Sequence, residues 1–342
     1  MARGGRCAVI GSLTAPTAAR RRCENARVTP LPPRPTPFVP ALRDGVAASR
    51  VGVGDGRFPS VLAFLVARFP AVADWPERLT RGDVLDARGH PLAAQARVAT
   101  GDLLWYWRDP PPEPRVPFEL ALLHRDEHLV VVDKPHFLPA IPAGRHLRET
   151  ALVRLRAELG IATLAPIHRL DRETAGVLVF SVRPPDRGAY HALLRDRAVH
   201  KVYEAIAPWR DDLAFPLVAR HRLEQPERDG FMQVRVVAGE PNAEARVGLV
   251  ERLGDRLARY RLEPLTGRTH QLRVQMNALG LPIVGDRIYP ALWPEPAPGA
   301  APDWSRPLQL LAREIAFTDP VTGEARRFTS RRTLALTAGL PG

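Results

Sequence analysis

Two hydrophobic periodicities alternate along this chain and divide it into segments. From Phe58, the stretch SVLAFLVARF spaces Val61, Leu62, Leu65, Val66 and Phe69 as one face of a helix. A second short helix is expected over Trp75 to Arg81. Val84-Leu85 and Leu103 to Trp107 read as strands, split by a glycine-containing turn at Arg88-Gly89. The proline run Asp109 to Pro114 is a stiff linker. Beyond it, LALLHRDEHLVVVDKP gives two strands around the polar break Arg125-Asp126-Glu127, an antiparallel hairpin. A helix over Glu149 to Leu159 carries Leu152, Leu155 and Leu159. The apolar run Gly176 to Phe180 is short and followed by Pro184-Pro185, so it reads as a buried strand. Pro184 to Val199 reads as a helix with proline in its first turn, and His200 to Trp209 as an alternating strand. Phe231 to Val237, Glu244 to Glu251 and Leu257 to Leu262 are further strands. Thr269 to Ala278 is a helix stopped by Gly280 and Pro282, and two closing strands flank the turn Asp319 to Gly323. This order is not a regular βαβ alternation. It predicts an α+β fold with a mixed or antiparallel central sheet and flanking helices, preceded by a small α+β module.

Composition changes the picture mainly at the N-terminus. Residues 1–48 are rich in Arg, Pro and Ala, with PLPPRPTPFVP from Pro30, and proline at that density forbids helix and ladder alike. A disordered or extended tail is expected there, then a small module with its linker over 49–112 and a larger domain over 113–342. No apolar stretch is long enough to cross a bilayer. Cys7 and Cys23 both fall in the tail and support neither a disulfide framework nor a thiolate metal site, so a reducing cytoplasm is the simplest setting. The ten histidines have no HExxH or paired Cys/His spacing, and no metal is expected. A net charge of +12 favours a polyanionic partner. Part of that excess is a bias toward arginine: of 49 basic residues only Lys134 and Lys201 are lysine. Those two read as retained for chemistry or fit, because an ammonium and a planar guanidinium do not interchange in a tight site.

Three constellations carry candidate chemistry. In IHRLDRETAGVLVFS, Ile167 to Ser181, Asp171 lies between basic residues (His168, Arg169, Arg172) and the predicted strand, at the mouth of a sheet. An aspartate flanked by arginines is more often a turn residue or a surface ion pair. In Lys201-Val202-Tyr203-Glu204, a strand puts Lys201 and Tyr203 on one face. That tyrosine alone reads as a core residue, although a phenol also offers a flat surface for a base and a proton-exchanging hydroxyl. In TGRTHQLRV, Thr266 to Val274, Thr266 or Thr269 is expected to cap a helix whose free N–H groups, with Arg268, make an anion site. Arg273, one turn in, points where a buried carboxylate could be held.

Taken together and in this order, HRLDRETAG, HKVYEA and GRTHQLRVQMNALGLPIVGD resemble the signature motifs of the RluA-like family of RNA pseudouridine synthases. VVVDKP, Val130 to Pro135, is similar to that family's strand before the active site, and FTDPVTGEARRF, Phe317 to Phe328, to its closing hairpin. The likeness spans Val116 to Phe328. Phe58 to Trp107 weakly resembles the alpha-L RNA-binding domain, without that domain's dense basic helix. The resemblance implies the pseudouridine synthase fold and an isomerase that breaks the N1–C1′ bond of a uridine and rejoins the base through C5, with no cofactor and no metal. It implies Asp171 as catalytic carboxylate with Arg273 as its partner. Tyr203 would stack on the uracil and assist proton movement, and Arg169 would fill the gap left by the everted nucleotide. His168, Lys134, Lys201, Arg268 and His270 are expected on the RNA or the base. The substrate would be a stem-loop of ribosomal or transfer RNA, bound by a monomer. The chain departs from the family pattern at Ala175 (usually Ser), Gln275 (commonly His), Leu311 (frequently His) and HFLPAIP after Pro135 (usually a Gly-containing loop). Two rivals remain: a noncatalytic RNA-binding or ribosome-assembly factor on the same fold, and a glycoside-cleaving enzyme drawing its second acid from Glu173 or Glu204.

Overall fold

The structure, a computed structural model, describes residues 38–55, 57–109, 112–144, 146–225, 233–294 and 300–334. Residues 1–37 of the expected tail lie outside them. Residues 39–48, read as part of that tail, are folded. Arg43 and Val46 form an isolated bridge, Val46 is buried, and the Gly45 carbonyl accepts from Arg156. The proline run ends at Pro40, and Asp44-Gly45 then supplies two consecutive positive-φ residues for a turn.

The small module comprises β1 (Ser49–Gly52), α1 (Val61–Arg68), α2 (Trp75–Thr80), β2 (Val84–Leu85) and β3 (Leu103–Tyr106). Its strands pair antiparallel in the order β1-β3-β2. Ser60 opens α1 by accepting the Ala63 N–H at 3.2 Å. The helix buries Val61, Phe64 and Leu65, and leaves Val66 exposed, against a core of Trp75, Leu79, Val84 and Leu104. β1 was not expected, since SRVG buries a single valine and shows no period.

The larger part follows as β4 (Ala121–Arg125), β5 (Leu129–Lys134), α3 (Ala151–Leu159), β6 (Ala165–Pro166), β7 (Ala175–Ser181), α4 (Arg187–Arg195), β8 (His200–Pro208), β9 (Leu217–Glu224), β10 (Arg235–Val237), β11 (Ala243–Leu253), β12 (Leu257–Pro264), α5 (Gln271–Ala278), β13 (Leu310–Thr318) and β14 (Ala325–Thr329). Eleven strands form one sheet in the order β10-β9-β11-β12-β8-β13-β7-β5-β4, with β14 on β13 and β6 on β7. Every pairing is antiparallel except β13 with β7, so the sheet is mixed. α4 stops short of the expected Val199 because Arg197 turns left-handed, with φ 57°, and the chain leaves extended into β8. β6 and β9 were not read from the sequence: β6 has two residues, and β9 turns small alanine inward where a longer apolar side chain would have marked the alternation.

Strand periodicity sends alternate residues to opposite faces. On one face α3 packs Ala151, Leu152 and Leu155 against Val130, Val132, Leu178 and Phe180, and α5 packs Leu272 and Met276 against Ala205, Ala258, Tyr260 and Leu262. Half-buried Tyr203 touches both groups, so it marks the junction between the two helix-covered halves. On the other face Tyr190 of α4 covers Val131, Val177 and Val179.

The junction is built from a single row across the sheet. Lys134 pairs with Gly176, Gly176 with Ala312, Ala312 with Tyr203, and Tyr203 with Leu262. The two smallest side chains therefore lie between lysine and tyrosine. Gly176 has φ 112°, and a Cβ there would fall on the Ala312 carbonyl oxygen. We expect Gly176→Ala to lower stability by at least about 2 kcal/mol in urea unfolding, since strain and a backbone clash act together. A loss within experimental error would mean that β7 and β13 can part freely.

Candidate active site

The loop that carries Asp171 is bolted to β7 before its acid is presented. Ile167 donates to Val179 O at 3.0 Å, and Val179 N donates to His168 Nε2 at 3.2 Å. A histidine that accepts a backbone proton must be neutral at that nitrogen, and burial, reinforced by Lys201, pulls its pKa down to about 3. His168, expected on the RNA, thus holds the loop to the strand. Lys134 is also reassigned. It is fully buried, and its ammonium donates to Pro135 O (3.0 Å), Leu138 O (2.8 Å) and Arg172 O (3.1 Å), which uses all three protons. Burial pulls its pKa down to about 7, against the charges of Glu173 and Asp171. Beside it, His136 Nδ1 meets Glu173 O at 2.7 Å, and burial takes that imidazole down to about 4. Lys134 and His136 thus tie the loop after β5 to the residues that follow Asp171.

Arg273, the third residue of α5, brings the opposing half of the fold to this loop. It is 2% exposed and grips Asp286 through Nε (2.8 Å) and Nη2 (2.6 Å), while Nη1 reaches Asp171 Oδ2 at 3.1 Å. Asp286 is 1% exposed and Asp171 31%, so one guanidinium joins a buried carboxylate to an accessible one. Burial opposes the charge of Arg273, but the two carboxylates outweigh it and raise its pKa. Asp286 Oδ1 also accepts the N–H groups of Ile288 (2.8 Å) and Tyr289 (3.1 Å). The Tyr289 ring lies 5.6 Å below the Arg273 guanidinium, and its hydroxyl exchanges hydrogen bonds with Val234 N and O. Neither Asp286 nor Tyr289 had been given a role from sequence. The signal available was the acid closing GLPIVGD, in the same motif as Arg273, whose expected partner was Asp171.

The start of α5 differs from expectation. His270, not a threonine, occupies the cap position, in the left-handed conformation with φ 53°. Its ring does not cap the helix but faces the site: Nδ1 meets the Tyr289 hydroxyl at 3.2 Å, and Nε2 stands 3.9 Å from Asp171 Oδ2. Burial favours its neutral form, although Asp171 pulls the other way. Thr266 instead donates to Gln271 Oε1 at 2.8 Å, and that oxygen accepts the Arg268 N–H at 3.0 Å.

Asp171 Oδ2 is therefore held, while Oδ1 has no hydrogen-bond partner among the described residues. Tyr203 approaches from β8. Burial and then the charge of Asp171 push its phenol well above the ordinary range, so it carries its proton. The half-buried Lys201 lies beside Gly267 and His168, where burial lowers its pKa. Arg169 and Arg268 are exposed, Arg268 against Asn242 O at 3.3 Å. Neither acid of the glycoside-cleaving alternative is available. Glu204 faces away from Tyr203 and is clamped by Arg313 with two 2.8 Å bonds, and Glu173 is bound to Arg172. Among the described residues no group of three or more His, Cys, Asp or Glu is placed to hold a metal ion.

Residues 128–278 match the family model described as RNA pseudouridylate synthase. The dual-specificity RNA pseudouridine synthase RluA of Haemophilus influenzae is 31% identical over 65% of this chain and 96% of its own length. The RluA of Salmonella typhimurium is 35% identical over 64% and 94%. The chain belongs to the RluA-like family of RNA pseudouridine synthases. It is an isomerase that converts uridine to pseudouridine in RNA, and the noncatalytic alternative falls with that membership. The fold agrees with the solved human RNA pseudouridylate synthase domain containing 1, at TM-score 0.50 and 23% identity over 65% of this chain and 86% of that one. Within this synthase two of the departures turn out to be one: Ala175 and Leu311 pair across β7 and β13, both fully buried, so an apolar pair stands where the resemblance would set Ser against His. Gln275, the third, is buried and bridges β9 and β11 by donating to Ala219 O (2.9 Å) and Ala243 O (3.3 Å).

Two outcomes follow from this geometry. Asp286→Asn leaves the Arg273 charge half-matched in a buried site, and should cost about 3 kcal/mol in urea unfolding together with most of the turnover. Wild-type stability in that variant would show that Asp171 suffices to hold Arg273. His136 and His168 have native pKa values of about 4 and about 3, below the ordinary 6.5. The unfolded chain thus binds more protons between these limits. The contribution of these two histidines is full above pH 6.5 and is lost as pH falls toward the native values. Urea midpoints should fall between pH 6.5 and about 4.5, before most carboxylates titrate, and His168→Asn should flatten that slope.

Proposed function

We propose that Asp171 is the carboxylate that starts the isomerisation, acting through Oδ1 while Arg273 holds Oδ2. The observation that carries this reading is the asymmetry of the acid: one oxygen is fixed by a buried guanidinium, and the other, on a 31% exposed side chain, has no hydrogen-bond partner among the described residues. Whether the first bond goes to the sugar, to the base or to a sugar proton, an ionised oxygen is required, and the Arg273 charge favours that form. The N1–C1′ bond breaks, the freed uracil turns, C5 bonds to C1′, the C5 proton leaves to solvent and N1 takes up a proton in its place. Tyr203, protonated and half-buried, serves as the flat surface for the uracil and assists proton movement.

We take the substrate to be a stem-loop of ribosomal or transfer RNA. Eversion costs a few kcal/mol in a helix and less in a loop, and exposed Arg169 occupies the gap it leaves. The relatives named dual-specificity fit more than one RNA target in this family, and support leaving both RNA classes within the reading. Residues 49–112 then act as a small module with its linker, supported by a core of its own, and 113–342 as the catalytic domain. A monomer in the cytoplasm completes the reading, with both cysteines confined to the N-terminal tail.

RNA carrying tritium at uracil C5 tests the assignment. The wild type should release label to water, and Asp171→Asn should stop the release while still binding the RNA. Normal turnover by that variant would refute the role given to Asp171.

A further inference from the structure

The loop after Lys134 departs from the family pattern, and its Phe137 is held at φ 66°, a left-handed conformation that bulky side chains rarely adopt. That conformation puts the phenyl ring into an aromatic group beside the site. Phe137 meets Trp304 edge-on at 5.1 Å and stacks on Phe118 at 6.1 Å, and Phe118 meets Trp304 at 6.2 Å. The Arg287 guanidinium lies 5.9 Å from the Phe137 ring and 5.5 Å from the Trp293 ring, linking the two. Arg306 lies over Trp293 at 4.7 Å. Phe137 forms the buried base of the group. Phe118 is 37% exposed, Trp293 and Trp304 are half-buried, and the Arg306 side chain is 47% exposed.

Position gives this surface its meaning. Arg287 directly follows Asp286, the acid that grips Arg273, and Phe137 lies between the two loop carbonyls held by the Lys134 ammonium, Pro135 and Leu138. Both anchors are thus tied to the machinery around Asp171. Asp303 is the one acid among these contacts: its carbonyl accepts from Arg287 at 3.1 Å, and its carboxylate stands 3.9 Å from Arg287 and 3.7 Å from Arg306. Among the described residues two guanidiniums stand against one carboxylate here, a cationic balance.

We propose that Trp293 and Trp304, with Arg287 and Arg306, form a stacking site for unpaired nucleotides flanking the target stem-loop. A base stacks on the exposed part of an indole, or on the guanidinium that lies over it, whatever its identity, because every base has a π-face, and the same guanidinium charges meet the phosphates. Bases inside a duplex are already stacked on one another and could not use these faces, so the site selects single-stranded flank. This rests on the stem-loop reading above and does not depend on the role given to Asp171.

The test uses the full chain and two probes, a hairpin RNA with a uridine loop and the same hairpin with an unpaired oligouridine flank. The wild type should bind the flanked hairpin more tightly. In Trp293→Ala the ratio of the two affinities should collapse toward one, which for stacking of this kind means a loss of about tenfold in the flanked complex. Trp293→Phe, which keeps a ring, should restore part of the ratio. Arg306→Ala, at an exposed position that does not endanger folding, should lower the salt dependence of flanked binding by about one counterion. A wild-type affinity ratio in both alanine variants, or no advantage of the flank in the wild type, would overturn the site. Failure of the wild type to release tritium would count against the stem-loop reading alone, because the flank effect is read in binding.

Discussion

A guanidinium withdrawn from water and shared between two carboxylates organises this enzyme. Burying the Arg273 charge is costly unless it is both paired and hydrogen-bonded. Asp286 meets both needs with a two-pronged grip, and is itself saturated by the Ile288 and Tyr289 amides. With Nε and Nη2 occupied, Nη1 can point in only one direction, toward Asp171. Arginine suits this task because its N–H groups form a rigid planar fork, so fixing two fixes the third. A lysine would bring the charge without the direction. The accessible carboxylate therefore receives its orientation from a group that the solvent barely reaches.

The second half of the construction is the loop that brings Asp171 to this fork. It rides on β7, the strand whose parallel contact with β13 requires a glycine, and is fastened by groups that look like functional residues in the sequence. His168 and His136 are neutral, one accepting from a strand amide and the other meeting a loop carbonyl. Lys134 gathers three carbonyls that converge on a point. A tetrahedral ammonium fits that arrangement and a planar guanidinium does not, which explains one of the two lysines in a chain that otherwise uses arginine. Chemistry and fit were both open for Lys134, and its surroundings decide for fit.

The motifs around Asp171, Tyr203 and Arg273 were legible because each joins a short-range pattern to a residue type with few other uses there. Alternation set Tyr203 on its face, the apolar run set β7, and one helical turn set Arg273 on the inward side. Most strands were legible for the same reason. β1, β6 and β9 were not, since four residues, two residues or a face whose buried members are one alanine and one leucine give too little contrast. The limits of α4 and α5 also escaped, because single left-handed residues, Arg197 and His270, end or open them without a glycine as marker.

The sequence by itself determined the fold class, the order of most elements and the three residues that family likeness draws together, because periodicity and motif spacing are local properties. Only the tertiary structure decided which charged residues are buried supports and which remain open to RNA. Lys134 lies inside, half-buried His168 is turned onto a strand amide, Arg169 and Arg268 lie outside, and Asp286 becomes the hidden partner. The physical reason is that the cost or use of a charge depends on the groups around it, and those groups arrive from strands and loops distant in the chain.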